Sequence, residues 1–321
     1  MYKTYIISLH QPDKLINQLK KYELDPILIK GVNGKELDKE TIKNNTNLVF
    51  SYIGPKSAIG IGMSHIKVWK EFLKTDAKYA IVFEDDVVFV PNFKQKLDNI
   101  IKYIPIDYDI LYLGCFGCNT KINMFTYLGS MVGLININNQ KVNKFVNKPA
   151  IALATHAYII SRTGAGKLIH YIENNIFHHI DYQINTLIVN NKINAYSLND
   201  RLVYQTSTDE TQSTNSINHH PILIHKLLGN YYIDKKVKAN YLTSVSIVNI
   251  FNINITLISI LFILLGILLG STDINLVIVT LFYLLLSSPD LYLNLNNSNI
   301  LIHYIFLIVP FLIIKKYKND K

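Results

Sequence analysis

The chain's 321 residues suffice for one large domain and an appendage. Its balance of 49% hydrophobic against 17% charged residues is greasy for a soluble protein, and the excess is uneven: residues 1–240 read as an ordinary globular domain, whereas 245–314 hold only Asp273 and Asp290 as charges. The formal net charge of +9 comes mostly from dispersed lysines, without a basic stripe interleaved with aromatics, which argues against nucleic acid as a partner. Near a membrane the same charge favours anionic head groups.

Residues 2–9 read as a strand, and no charged segment with a long apolar stretch accompanies it, so no secretory signal peptide is expected. Near 12–22, Leu15, Leu19 and Tyr22 fall at helical spacing. A short strand is expected over 26–29, ending in Gly31-Val32-Asn33-Gly34. A helix is expected from about Gly62 to Lys74, with Ile66, Trp69, Phe72 and Leu73 on one apolar face. Strand 79–83 leads into three acids, followed by helix 93–103 and strand 109–113. Residues 114–147 read as irregular. Strand 154–161 passes through Gly164 into helix 165–172, and helix 181–190 and strand 193–198 follow. The alternation of β and α signals predicts an α/β sheet with helices on both faces.

The strongest chemical signal is Phe83-Glu84-Asp85-Asp86, flanked by Tyr79-Ala80-Ile81-Val82 and Val87-Val88-Phe89-Val90. Three adjacent carboxylates repel one another. A solvated acidic turn is the plain alternative, but a divalent cation would remove the repulsion, and hard oxygen ligands suit Mg²⁺ or Mn²⁺. Strand C-terminal ends are also where open α/β sheets bind ligands. Three other segments carry fainter signals. Gly60 and Gly62 permit close backbone approach, and Ser64-His65 are expected at a helix start, a place suited to anions. Thr155-His156-Ala157-Tyr158 reads as a buried strand. His178-His179-Ile180-Asp181 precedes a helix, where Asp181 is either an N-cap or a positioned carboxylate. The two cysteines, Cys115 and Cys118, form a C-x-x-C without a second pair for a structural zinc and without a helix start for a thioredoxin-like dithiol, so two free thiols are expected.

In order and spacing these segments resemble glycosyltransferase family 25, the family of bacterial lipopolysaccharide glycosyltransferases and procollagen galactosyltransferases. The resemblance covers roughly 2–216: Ile7-Ser8-Leu9, Ile59-Gly60 through Ser64-His65, Glu84-Asp85-Asp86, Asp109-Ile110-Leu111-Tyr112-Leu113-Gly114, Thr155 with Tyr158-Ile159-Ile160-Ser161, Gly164-Ala165 with Lys167-Leu168, and Asp181. Three positions depart from the pattern: Lys14 replaces an Arg, whose planar fork Lys does not reproduce, Ile61 a Cys, and Asn33 the Asp of an Asp-Gly turn. The resemblance implies a GT-A fold and a nucleotide-sugar donor, a UDP-sugar carrying galactose or glucose, with inverting transfer to a glycan, lipid-linked glycan or protein hydroxyl. Ser8, Lys14, Ser64, His65, Glu84 and Asp85 are the expected donor contacts, and Asp86 the principal ligand of Mn²⁺ or Mg²⁺, with Glu84 or Asp85 assisting. Glu84 and Asp86 are expected to alternate in direction, one toward ribose and one toward metal. Asp181 is the expected base, with Asp209 and Glu210 as alternates in a polar stretch, 205–218, read as a lid. His219, His220 or His225 is a candidate third ligand. A nucleotide-sugar-binding pseudoenzyme or scaffold is the alternative. A metal-dependent phosphohydrolase would show further Asp/His ligands at tight spacing.

Domain boundaries follow from composition: a catalytic domain over 1–220, a basic juxtamembrane linker over 221–244, a hydrophobic α-helical transmembrane region over 245–314 and a basic tail over 315–321. The apolar runs are 255–270, extendable back to Val245, then 274–288 and 300–314. Against the roughly 20 residues a bilayer needs, the first, extended, spans comfortably, and the others are short. Lys235, Lys236 and Lys238 precede the region and Lys315, Lys316 and Lys318 follow it, so both ends are expected in the cytoplasm, with two crossings and a cytoplasmic catalytic domain.

Overall fold

Period-two alternation sorts the strands' side chains onto two faces, and two separate cores result. The computed structural model describes residues 2–119, 141–206, 221–234, 237–251, 253–293 and 299–320. The chain divides into two compact units, Met1–Ser207 and Thr208–Lys321.

In the first unit, β1 (Tyr2–Ser8) is followed by α1 (Asp13–Lys21) and β2 (Pro26–Lys30), then by α2 (Lys39–Asn45), α3 (Leu48–Ile53) and α4 (Lys56–Leu73). Next come β3 (Tyr79–Glu84), β4 (Val87–Phe89), α5 (Phe93–Ile101), β5 (Ile110–Phe116), β6 (Val146–Asn147) and β7 (Leu153–Ser161). Helices α6 (Arg162–Ile172) and α7 (Ile180–Val189) precede β8 (Ala195–Leu198) and β9 (Val203–Gln205). Seven strands form one sheet in the order β2-β1-β3-β7-β5-β8-β6. β1 runs parallel to β2 and β3, while β7 is antiparallel to both β3 and β5, so the sheet is mixed.

On one face Tyr5, Ile7, Ala80 and Val82 pack with Trp69 and Phe72 of α4 and Leu168 of α6. On the other, Ile6, Ile81 and Phe83 pack with Leu15 and Leu19 of α1 and Phe93 and Leu97 of α5. That two-faced arrangement is what the alternating signals predict. Two local expectations are corrected. Helix α4 begins at Lys56, not Gly62, so Ser64 and His65 lie in its interior. Gly60 does allow the close backbone approach expected of it: a Cβ there would sit 2.6 Å from the Val32 carbonyl oxygen. Cys115 and Cys118 are joined in a disulfide rather than held as two thiols.

In the second unit, Ser246–Ile250 pairs antiparallel with Ile253–Thr256, and a 14-residue helix, Leu257–Gly270, follows. The run expected to span most comfortably is thus a hairpin and a short helix. Asparagines at 249 and 254 explain this, since their side chains hydrogen-bond across the hairpin at 2.9 Å. Among the described residues one helix, Asn299–Asn319, is long and apolar enough to cross a membrane, with mean hydropathy 1.8 over its best window. Its 21 residues extend about 31 Å at 1.5 Å per residue. It packs tightly on Leu257–Gly270, where a Cβ on Gly266 would fall 2.2 Å from the Leu307 carbonyl oxygen.

Two glycines separate packing from propensity. Gly60→Ala is expected to destabilise the first unit by about 1–3 kcal/mol through overpacking against backbone. Gly166→Ala, a helical position with nothing within 4 Å of the added Cβ, is expected to be neutral or to stabilise by about 0.5–1 kcal/mol. Urea unfolding of both variants checks the pair; equal effects would contradict the close approach of residues 32–34 to α4.

Candidate functional site

The period of β3 sets the direction of the first acid. Ala80 and Val82 face α4, and Glu84 follows at the same parity. The strand ends there, and Asp85 and Asp86 form the turn into β4. The expectation that Glu84 and Asp86 alternate along an extended strand end is therefore corrected. The turn, not the pleat, aims the last two acids.

Glu84 meets a buried polar chain. Its Oε1 lies 3.3 Å from His65 Nε2 and accepts a hydrogen bond from Thr155 Oγ1 at 2.8 Å. His65 Nδ1 lies 2.9 Å from the Tyr158 hydroxyl, which also accepts from Trp69 Nε1 at 2.9 Å. The indole can only donate, which leaves the single Tyr158 proton for His65 Nδ1 and places the imidazole proton on Nε2, toward Glu84. Burial alone would push the Glu84 carboxyl up, but the hydrogen bond and field of His65, the field of His156 and the Thr155 hydroxyl together hold it below its ordinary value. Glu84 is thus an anion fixed in place by α4 and β7.

The neighbouring acids are held from other strands. Ser8, at the end of β1, donates its hydroxyl to Asp85 Oδ2 and accepts from the His10 amide at 3.1 Å. The Asp86 carbonyl accepts from the Thr206 amide at 2.8 Å, where β9 leaves its pairing with β4. Ser64 is buried; its hydroxyl donates to the Gly60 carbonyl at 2.7 Å and accepts from the Val32 amide at 2.8 Å. Ser64 and His65 therefore shape the site from behind it. Lys14 is exposed in the first turn of α1.

Asp181 lies in the first turn of α7, but not as its N-cap, which is His179. Its Oδ2 accepts from the Ala154 amide at 2.9 Å and its Oδ1 from the Tyr182 amide at 2.7 Å. Ala154 has φ of 71°, a left-handed backbone that a residue with a Cβ adopts at a cost. The register of β5 against β7 shifts on either side of Gly114, beside this point. Asp181 and Thr155 thus hold the two sides of one strained bulge. Asp209, Glu210, His219 and His220 lie outside the described residues. His225 belongs to the second unit, where its Nε2 meets Asn240 Nδ2 at 3.0 Å. No group of three metal-capable side chains occurs among the described residues.

The sequence sets Thr155 and Tyr158 in a buried strand and Trp69 on an apolar helix face without a role in the site, and their polar atoms complete the chain to Glu84. The readable signal was polar residues within an otherwise apolar strand. His156, in the same strand, is buried as that reading expects. Burial pushes this imidazole down to about 4, against the opposing pull of Glu84 and the Val203 carbonyl, 3.4 Å from its Nε2. Its sign is definite. As pH falls below the ordinary value near 6.5 the unfolded chain takes up a proton that the folded chain refuses until about 4. Stability should fall across that window by roughly 3 kcal/mol from this group. Urea unfolding at intervals between pH 7.5 and 4 should show the fall, and His156→Gln should flatten it. An unchanged slope in the variant would remove His156 as its source.

Procollagen galactosyltransferase 2 of Mus musculus is 30% identical over 113 residues, 32% of this chain and 18% of that protein. Inactive glycosyltransferase 25 family member 3 of Homo sapiens is 28% identical over 127 residues, 35% of this chain and 21% of that protein. The match thus spans about a fifth of the length of these curated relatives. A solved structure, the crystal structure of A197 from STIV, aligns with a TM-score of 0.32 at 14% identity, over 63% of this chain and 82% of that one. The family model for Glycosyltransferase family 25 (LPS biosynthesis protein) matches residues 1–184, the whole span from β1 to the first turns of α7. The chain belongs to glycosyltransferase family 25.

Proposed function

We propose that the first unit is a metal-dependent glycosyltransferase domain of GT-A type. It moves a hexose, galactose or glucose, from a UDP-sugar to a hydroxyl of a glycan, lipid-linked glycan or protein, with inversion. The observation that carries this reading is the acid turn, with Glu84 locked as an anion behind it and Ser8 holding Asp85. A catalytic domain with no use for these carboxylates would have little reason to fix them so closely. The relatives named procollagen galactosyltransferase point the same way. Relatives named inactive keep open a second reading, a nucleotide-sugar-binding scaffold.

The donor set at the turn is made of hard carboxylate oxygens, which fits Mn²⁺ or Mg²⁺. Such ions are commonly held by one or two carboxylates together with substrate phosphates. Asp86 would be the main ligand, with Glu84 assisting. Bound there, the ion would neutralise charge on the departing diphosphate. The chain's own residues do the rest. Ser8 keeps Asp85 oriented, and His65 and Thr155 keep Glu84 ionised. Asp181 takes the acceptor proton as the hydroxyl oxygen attacks the anomeric carbon and its bond to the diphosphate breaks. The two backbone amides on Asp181 fix its carboxylate without filling all its lone pairs.

We also infer membrane anchoring through Asn299–Asn319, whose last turn carries Lys316 and Lys318. Lysines on both flanks of residues 245–314 favour a cytoplasmic domain if the chain crosses an even number of times, whereas a single crossing with Lys316 and Lys318 inside would put the first unit on the opposite face, the side that the Cys115–Cys118 disulfide favours. Protease digestion of sealed vesicles with the cytoplasmic face outward separates these: loss of the first unit without detergent supports the cytoplasmic placement, and protection overturns it.

Asp86→Asn should abolish sugar transfer while leaving the melting temperature nearly unchanged, and chelation should do the same reversibly with Mn²⁺. Asp85→Asn should be milder. Full turnover by Asp86→Asn in chelator would reject the metal assignment. Asp181→Asn should slow transfer by roughly 10²–10⁴, the range for loss of a general base. A residue that only braces Ala154 would instead lower stability and leave the rate per folded molecule intact.

A further inference from the structure

On the α5 side of the sheet lies a concave cleft of about 330 Å³ that the transfer chemistry does not use. It is bounded by α5, by the strand entering β6, and by the turn before β9. Among the described residues three cations line it, Lys96, Lys144 and Arg201, against the one carboxylate of Asp200. Arg201, only 9% exposed, adds its charge to the lining. Lys144 is held in place, with Nζ 4.9 Å from the Tyr103 ring centre and 4.8 Å from that of Phe145. Asn199 joins the two walls: its amide nitrogen donates to the Phe145 carbonyl at 2.9 Å and its Nδ2 to the Lys144 carbonyl at 2.9 Å. Its Oδ1 is buried and accepts no hydrogen bond from any described residue. That oxygen has almost no accessible surface, so the amide open to a ligand is that of Asn99 in α5, which is exposed and also lines the cleft.

We propose that this cleft binds an acidic saccharide, the part of the acceptor that carries a carboxylate. Cations, a side-chain amide and an apolar ring in one concavity suit a ligand with a negative charge, hydroxyls and C–H faces together. The volume lies at the lower end of small-ligand sites, more than one small anion would fill. The position fits as well. Arg201 leads into β9, whose Gln205 pairs with Val87, the residue after Asp86. Four residues of extended chain separate Arg201 from that point, roughly 13 Å at about 3.3 Å each. An acceptor seated in the cleft could reach the acid turn within a few sugar units. The proposal rests on the glycosyltransferase reading for its biological sense, but the binding itself does not require turnover.

The test uses the full chain in detergent, titrated with digalacturonate and with neutral digalactose, without donor. Digalacturonate should bind at least tenfold more tightly than digalactose. Lys96→Glu and Lys144→Glu together, both on exposed side chains, should weaken it at least tenfold. Asp86→Asn and chelator should leave it unchanged. Equal binding of the two disaccharides would overturn the proposal. So would inorganic phosphate binding as tightly as digalacturonate, phosphatidylglycerol vesicles binding through the same lysines while neither disaccharide binds, or undiminished binding by the double variant. Should Asp86→Asn retain full sugar transfer while digalacturonate still binds, the catalytic assignment fails and the cleft stands.

Discussion

The hydrogen-bond chain from Trp69 through Tyr158 and His65 to Glu84 is the constraint on which the rest depends. It links a helix, the central antiparallel strand and the end of a parallel strand across one face of the sheet. Every group in it is buried or nearly so, and an unmatched member would carry a desolvation cost of about 1–3 kcal/mol. Only one arrangement of protons satisfies all four groups, and that arrangement terminates on a carboxylate. Protonating Glu84 would leave its oxygen a poorer acceptor for both His65 and Thr155. The network thus fixes a charge as well as a geometry, and the acid turn begins from a defined negative end.

That fixed end explains how neighbouring strands share the work. β1 reaches the turn through Ser8 and Asp85, β9 through Thr206 and the Asp86 carbonyl, and β7 through Thr155. β7 pays for its approach with a left-handed Ala154, which costs about 1–3 kcal/mol in isolation. Asp181 offsets part of this by accepting the Ala154 amide. A carboxylate that supports strain on one oxygen is also held rigidly, which is the state a base needs if it is to meet an acceptor hydroxyl at a set distance. Bracing and base chemistry are compatible in one residue here.

Much of this was legible in the sequence, and the rest was not for identifiable reasons. The strands over 79–83 and 109–113 and the α5 helix stood out because apolar periodicity was clean and turn residues bounded them. The start of α4 was placed too late because its clean apolar face begins at Ile66, whereas its first turns hold Gly60 and Gly62, whose lack of a side chain serves close packing, Gly62 lying 3.1 Å from Ile176 by its notional Cβ. Helices α2 and α3 went unread because each is seven residues or fewer and gives little periodicity. Of the site, the acids were plain as a charge cluster beside a strand. The partners of Glu84 were not, since His65, Thr155 and Tyr158 are brought together by sheet order, with β7 inserted between β3 and β5. No local pattern encodes that insertion.

The division between buried network and exposed turn also bears on the mixture of galactosyltransferases and inactive proteins among the relatives. Ser64, His65, Tyr158 and Trp69 have structural work to do whether or not any sugar moves, because each satisfies another buried group. A chain could lose catalysis and still need all of them. Asp85 is exposed and Asp86 partly so, and neither side chain is among the buried residues that assemble the two cores. Retaining acids there adds repulsion that the fold itself does not require. In this scaffold the fold and the chemistry therefore part company between Glu84 and Asp85. The presence of both aspartates next to a carboxylate already held ionised is the physical argument for an active enzyme over a scaffold.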